Sequence, residues 1–361
     1  MKDSHDFPTA SDTRSISFAC GRPGRQREIT DAAGTRTFTC NNALQTESEI
    51  ITGIYNETLT RTYEDGTGVK GRSSGFAPGN PDSPEYAVIY GYGTEGRFGS
   101  LTWNAGTGNG IVNYSYVPDS DLLGGYSSGT GIKTVYEYEP HRSLKTAVTN
   151  SFGPAGSETV ISQYGYLYDS TGRRTSVKNT GTAFAQPAFS RYGYNDRSEL
   201  TSSERYSGTE ITDLSSPVTP ENRAYDYDPI ENRKESVSGL QQALIYETNV
   251  LNQYTEISRN ASPVTAPEYD DDGNILKYKD KVCQWNAENR LISVQPQNPV
   301  SGDRKITFLY DYMGRRVRKQ VSVHSGTDWN PAPETEKLFV YDGWNVVKES
   351  TVTGGSPSAK W

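Results

Sequence analysis

The sequence predicts an all-β protein, built from repetitive antiparallel β-hairpins that form a spiralling curved sheet or partial hollow shell. Three observations carry that prediction: a recurring turn signature, strict two-residue alternation on either side of it, and a Tyr-rich but apolar-poor composition. The signature reads Tyr168-Asp169-Ser170-Thr171-Gly172-Arg173-Arg174 in one place and Tyr310-Asp311-Tyr312-Met313-Gly314-Arg315-Arg316 in another. Variants are Tyr225-Asp226-Tyr227-Asp228-Pro229-Ile230-Glu231-Asn232-Arg233, Tyr269-Asp270-Asp271-Asp272-Gly273-Asn274 and Trp285-Asn286-Ala287-Glu288-Asn289-Arg290. Repetition of one supersecondary unit sets an architecture before any single residue sets a chemistry.

The alternation is clearest around the turn at 310–316. Ile306, Phe308 and Tyr310 share one face before it, and Val317, Lys319, Val321 and Val323 share one face after it. Such alternation marks half-buried strands flanking a hairpin. Asp or Asn can bond its own backbone two residues on, while Gly or Asn tolerates positive φ, so the turn chemistry agrees. In the unit at 225–233, Glu231 stands where Gly is usual, which leaves Asn232 as the expected positive-φ residue.

In chain order, further units centre near Asp31–Arg36, Tyr92–Arg97, Tyr138–Arg142, Tyr194–Arg197 and Tyr246–Asn249, and Tyr341-Asp342-Gly343 opens another. Their irregular spacing, roughly 16 to 32 residues, does not suit a propeller or a leucine-rich horseshoe. Cys40 follows Thr37-Phe38-Thr39 where a repeat would place Tyr, and is expected to be a substituted strand residue. Segments 71–84, 104–110, 207–221 and 296–304 are rich in Gly, Pro or Ser and are expected to be long hairpin loops. The resulting division is residues 1–24 without assigned structure, 25–345 as repeats, and 346–361 as a tail leading into a longer protein.

Only 33% of residues are apolar, whereas 25 are Tyr. Low hydrophobicity is the signature of disorder, but the aromatic content and β-branched alternation oppose it. The net charge of −8 argues against a nucleic-acid backbone as partner, because that needs a basic face. The three cysteines, Cys20, Cys40 and Cys283, are odd in number and far apart, so they encode no disulfide framework. No apolar run approaches the ~20 residues of a membrane helix, and Met1–Asp6 has no apolar core of a signal peptide. When hairpins stack, their Tyr and Arg side chains should fall into register as a ladder, with Tyr166 and Arg173 expected to couple.

These residues resemble the YD-repeat proteins, the Rhs family, whose pattern also occurs in the toxin-complex C-components and the teneurins. The resemblance runs from about Arg25 to Tyr341. Its most specific stretches are Tyr225–Arg233, Trp285–Val294 and Phe308–Val317. It implies a β-sheet spiralling into a hollow shell, which in bacterial relatives encloses a C-terminal toxin and in teneurins belongs to an adhesion ectodomain. By that resemblance the chain is a secreted or cell-surface structural module, not an enzyme. Its partners would be the rest of its own polypeptide and an encapsulated or appended C-terminal domain. The alternative is an adhesion or recognition surface, with cell-surface glycans as partner, and open sheet edges would allow self-association. Toxin-releasing relatives carry an Asp-Pro-x-Gly core-terminal motif. The Asp228-Pro229 pair here is followed by Ile230-Glu231 inside a repeat turn, so self-cleavage is not assigned.

Other chemistry finds little support. The run Glu268–Asn274 partly mimics a calcium loop, but the closing Glu would fall at Lys279. The basic run Arg315–Lys319 alternates faces, which fits a solvated sheet face or Arg against Tyr better than an anionic partner. His5, His141 and His324 stand in separate neighbourhoods, without metal-ligand spacing or a marked nucleophile. Forty-four acids make a glycosidase pair unidentifiable. Trp103, Trp285, Trp329 and Trp344 could stack sugars, although aromatic residues in strands more often pack on neighbours. No catalytic, cofactor or metal residue is therefore assigned. The residues singled out are those of the turns: Tyr168, Asp169, Gly172, Arg173, Tyr225, Asp226, Asn232, Arg233, Tyr269, Asp270, Gly273, Trp285, Asn289, Arg290, Tyr310, Asp311, Gly314 and Arg315.

Overall fold

A computed structural model describes residues 2–5, 15–22, 24–65, 70–106, 108–353 and 356–360, with side chains for 15–22, 24–65, 70–106 and 108–352. Among the described residues there are 32 strands, one 3-10 turn at Thr219–Glu221, and no α-helix. The chain divides into two units. One comprises Met1–Tyr90, Trp103–Gly108 and Pro267–Trp361; the other comprises Gly91–Thr102 and Asn109–Ala266.

The first unit holds two series of antiparallel strands, each pairing in chain order. One runs from Ile16–Cys20 through Gln26–Asp31, Gly34–Cys40, Thr46–Gly53 and Glu57–Tyr63 to Ser73–Asn80. The other runs from Glu268–Tyr269 to Ser356–Lys360 and includes Arg304–Tyr310, Arg316–Val323, Thr335–Asp342 and Asn345–Thr353. The segment expected as a tail after 345 is thus strand. Lys2–His5 pairs with Ile16–Cys20, while residues 6–14 lie outside the described residues. Each series buries apolar side chains: Ile29, Ile51 and Leu59 in the first, Val317, Leu338, Phe339 and Val340 in the second. Ile29, Leu59 and Val317 have polar neighbours on both sides, as a half-buried strand requires, whereas Leu338, Phe339 and Val340 are buried in succession.

The second unit is a hairpin series running from Gly108–Tyr116 to Ser262–Thr265. Several of its buried positions are polar, and hydrogen bonds across strands satisfy them. Thr134 donates to the Asn150 side-chain oxygen at 2.8 Å, and Asn150 donates to Ser162 at 3.0 Å. Arg205 reaches Asn179 at 2.7 Å. On the aromatic rows, rings follow strand to strand: Phe98–Tyr114 at 5.1 Å, Tyr114–Tyr126 at 6.1 Å and Tyr126–Tyr136 at 6.5 Å. Many small cross-strand contacts replace a thick apolar layer.

Two of the expected loops are corrected. Within 71–84 the chain forms the strand Ser73–Asn80, and strands Phe98–Ala105 and Gly108–Tyr116 extend into 104–110. At Gly75 a Cβ would lie 2.1 Å from the Val88 carbonyl oxygen. The glycine there permits close backbone approach within a sheet, not a loop. The 207–221 segment carries the 3-10 turn, and residues between Pro296 and Arg304 connect two strands, as expected.

Candidate functional site

The turn at Tyr168–Arg174 shows how the motif works. Tyr168 pairs with Arg174, and a register shift between Leu167 and Tyr168 places one extra residue there. Such a bulge tightens the twist and re-aims the next side chain. The Asp169 N–H donates to the Arg173 carbonyl at 2.9 Å, and the Gly172 N–H donates to the Asp169 carbonyl at 3.1 Å. One carboxylate oxygen of Asp169 accepts the N–H groups of Thr171 and Arg173 at 3.0 and 2.9 Å. The other accepts Arg173 Nε at 2.6 Å. The Arg173 guanidinium holds the Asp169 carboxyl well below the usual carboxylate range. Gly172 sits at φ 88°, where a Cβ is strained.

The same residue offsets recur. The position four residues after the leading residue is left-handed at Gly314 (81°), Gly273 (84°), Asn289 (56°), Ser198 (67°), Asn252 (60°) and Glu231 (72°). The expectation that Asn232 takes positive φ is therefore corrected. Turn register decides the position, and Asn232 instead donates its N–H and side-chain amide to the two Asp228 oxygens, each at 2.9 Å. The same register corrects a second assignment. Tyr227 and Asp228, not Tyr225 and Asp226, occupy the places of Tyr168 and Asp169, because Tyr227 pairs with Arg233 across the bulge. Asp226 instead makes an exposed pair with Lys234 at 3.1 Å. Thr248, not Tyr246, likewise leads its turn. The unit at Asp31–Arg36 is a tight hairpin of another kind, with Asp31 paired to Gly34 and no bulge.

Consecutive turns are laced in both directions. Leading tyrosine hydroxyls donate backward to the carbonyl of the residue that closes the preceding turn. Tyr138 reaches Leu123 at 2.8 Å, Tyr168 reaches Lys145 at 2.7 Å, Tyr194 reaches Arg174 at 2.8 Å and Tyr227 reaches Leu200 at 3.0 Å. In the first unit Tyr310 reaches Leu291 and Tyr341 reaches Arg316, both at 2.8 Å, while Trp285 uses its indole N–H on Ile275 at 2.8 Å. Arginines reach forward. Arg142 donates to the Asp169 carbonyl at 2.9 Å, Arg290 to Asp311 at 3.1 Å and Arg315 to Gly343 at 2.6 Å. Each such bond contributes about 0.5–1.5 kcal/mol net, so the strength lies in repetition.

Ring contacts follow the lacing. Arg173 lies over Tyr194 at 5.0 Å and Arg315 over Tyr341 at 5.2 Å, each on the next turn's aromatic. The cation closing a turn lies over the ring two residues before the leading aromatic: Arg174 over Tyr166 at 4.4 Å, Arg233 over Tyr225 at 5.0 Å, Arg316 over Phe308 at 5.5 Å. The expected Tyr166–Arg173 pair is thus corrected to Tyr166–Arg174. Arg174 pairs across the strands with Tyr168, which shares its face with Tyr166 two residues away, whereas Arg173 points along the row of turns.

Turns that the residue pattern did not single out begin at Cys20, Tyr63 and Tyr116. Cys40 pairs with Thr46 across the same bulge, so it occupies the leading position as expected. The signal that could have found Cys20 is Gly24 four places on, at φ 77°, whereas after Cys40 the left-handed place is held by Leu44, a residue type that gives no such signal. Asp270 accepts the Asp272 and Asn274 N–H groups at 3.1 and 2.8 Å and the Asn274 amide at 2.9 Å, the bonding of an ordinary repeat turn.

In the first unit the two strand series meet at an ion-pair knot. Arg36, 2% exposed, donates to Glu49 at 2.5 Å and to Asp311 at 3.2 Å. Arg61 bridges Glu49 at 2.9 Å and Asp342 at 2.7 Å, and Arg315 holds Asp311 at 2.7 Å. Three guanidinium groups thus balance three carboxylates. Lys348 adds contacts to Glu57 and Glu85, both 2.5 Å. Tyr55 donates to the Phe339 carbonyl at 2.9 Å, and burial pushes its phenol up to about 12. Asp31 accepts the Tyr312 N–H at 2.7 Å; burial raises its carboxyl, with the N–H bonds from Tyr312 and Ala33 pulling back. Arg36 Nε and Arg61 Nη1 have no partner among the described residues. Desolvation offsets much of the attraction in a buried cluster of this kind, whereas removing one member leaves a buried charge uncompensated.

Beside the knot is a cleft of about 460 Å³, lined by Asp31, Ile54, Gln284, Ser293, Lys305, Thr307, Phe308 and Tyr312 among others. Among the described residues no helix is long and apolar enough to cross a membrane.

No protein-family model matches the chain. No curated protein matches it either. Among solved structures, the crystal structure of TcdB2-TccC3 matches at 12% identity and a TM-score of 0.36, over 94% of this chain and 23% of that one. The Photorhabdus luminescens Tc holotoxin pore gives 12% and 0.35, over 94% of this chain and 22% of that one. A porin-like protein from Bacteroides uniformis gives 13% and 0.23, over 84% and 92%. The chain spans less than a quarter of the length of the two toxin-complex chains. Overlaps at these scores decide nothing about descent or activity.

Proposed function

We propose that the chain is a non-enzymatic structural module, a stretch of Rhs-type β-wall that encloses or presents a C-terminal domain of its own polypeptide. The observation that carries this reading is the two-way lacing of successive turns. Leading aromatics such as Tyr168, Tyr194 and Tyr227, and arginines such as Arg142 and Arg315, are spent on neighbouring turns, an arrangement that builds continuous sheet and leaves those groups little capacity for chemistry. A secreted or cell-surface location belongs to the same reading.

Limited proteolysis of the polypeptide extended into its downstream coding sequence tests this. The expected result is that the appended domain is protected in the native protein and becomes cleavable when lacing is removed by a combined Tyr168→Phe, Tyr194→Phe and Tyr227→Phe variant. Cleavage as fast in the native protein as in urea overturns the enclosing role. Binding of intact cells by the isolated chain, without such protection, would favour the adhesion reading instead.

A further inference from the structure

We propose that the cleft of the first unit is a binding site for a small hydroxylated carboxylate, of the chemical class of uronic acids and sugar acids. The inference goes beyond the structural role above and does not depend on it. The cleft's volume, about 460 Å³, lies in the range of small-molecule sites. Its floor is set by strand register. Gln284 pairs with Ser293, and Ser293 with Thr307, so three polar side chains form a row across adjacent strands. Lys305, two residues before Thr307, lies on the same face.

The charges around this row are unequally satisfied. Asp31 is occupied by the N–H groups of Ala33, Gly34 and Tyr312. Asp311 is held by Arg315 and Arg36, and Glu288 by Arg290 at 2.9 Å. Lys305 has no carboxylate partner among the described residues. The Ser293 hydroxyl, in a residue only 3% exposed, has no hydrogen-bond partner there either. Buried hydroxyls are rarely left unpaired, so an orphan facing a cleft marks a place for an external polar group. An unpaired ammonium beside it, with the acids already spent, selects an anion. Leu309, on the same strand face as Lys305 and Thr307, and Ile54 add apolar wall for a carbon skeleton.

Calorimetric titration of the full chain with glucuronate, gluconate and glucose tests the site. Glucuronate or gluconate should bind at least about tenfold more tightly than glucose, a difference of about 1.4 kcal/mol. The tighter of the two acids identifies whether a ring or an open chain fits. Lys305→Met should weaken the acid about tenfold or more, and Ser293→Ala severalfold, while Lys305→Arg keeps binding and shows that charge is what matters. A circular dichroism spectrum unchanged from the parent confirms that each variant is folded. Absence of heat with both acids, equal affinity for glucose, or full affinity in folded Lys305→Met overturns the proposal.

Discussion

The turns at 168–174 and 310–316 share the Tyr-Asp-x-x-Gly-Arg-Arg pattern and the bonds of the aspartate to backbone and arginine, yet they sit in different dielectric surroundings. Asp169 and Arg173 keep 22% and 31% of their side chains exposed, and their pair closes a turn facing solvent. Asp311 and Arg315 keep 0% and 3%, and Arg36 enters from a strand 275 residues away in sequence. One motif therefore does two jobs. As a local device, the carboxylate organises its own loop and an arginine reaches the neighbouring turn. When a second surface covers it, the same carboxylate becomes a socket for a foreign guanidinium. The difference teaches that the repeat carries a latent docking element, and burial decides whether it is used.

The largest expected effect comes from emptying the socket. Arg36→Met leaves Glu49 and Asp311 buried without their shared cation, and should lower the stability of the first unit by about 3–5 kcal/mol in urea unfolding. A loss below about 1 kcal/mol would show that water screens the knot and that the two turns differ less than their exposure implies.

The direct comparison is Asp311→Asn against Asp169→Asn. Both variants keep the oxygen that caps the turn and lose the charge, so the contrast isolates the ion pair. The buried site should lose about 2–3 kcal/mol and the exposed one a small fraction of that. Equal losses in thermal melts would mean that the turn, not its burial, controls the energy.

Tyr168→Phe removes one lacing bond and should cost about 1 kcal/mol. It should also speed amide exchange near Lys145 while leaving the first unit unaffected. Glu231→Gly relieves a left-handed non-glycine residue and should raise stability by up to about 1 kcal/mol. A decrease would show that the Glu side chain makes a contact worth more than the strain.

Acid should separate the regions by sign. Arg173 holds the Asp169 carboxyl low, and Asn232 does the same for Asp228. Their contribution is complete above the ordinary carboxyl range near pH 4 and fades as pH falls through their depressed values. Burial raises Asp31, so its contribution is present at low pH and lost as pH rises through its folded value. Hydrogen exchange followed from pH 6 to 3 should therefore show loss of protection around 168–174 and 227–233, and Asp31→Asn should remove only the opposing trend in the first unit.

Much of the fold was legible because hairpins are local. Alternation around Tyr310 and the Asp–Gly spacing specify strand, turn and strand without reference to distant residues. The leading position was readable even at Cys40, where Tyr is missing. It was misplaced at Tyr225 because two aromatic–acid pairs stand in tandem, and only cross-strand register chooses between Tyr225-Asp226 and Tyr227-Asp228. Residue preference favours Asn232 for positive φ, but turn position outranks preference and strains Glu231 instead. The Gly- and Pro-rich run around Gly75 suggests a loop because the partner of Gly75, the Val88 carbonyl, lies outside its own local pattern. Arg36 carried no visible signal; nothing in Thr35-Arg36-Thr37 distinguishes a surface arginine from the centre of a charge cluster.

The amino-acid order by itself determined the strand alternation, the bulged turns and the roles of their Tyr, Asp and Arg side chains, because each depends on contacts within a few residues or one repeat. Tertiary structure alone decided which carboxylates lie in solvent and which lie under Arg36 and Arg61. Burial is a property of what covers a residue, and the covering strands here are hundreds of residues distant along the chain.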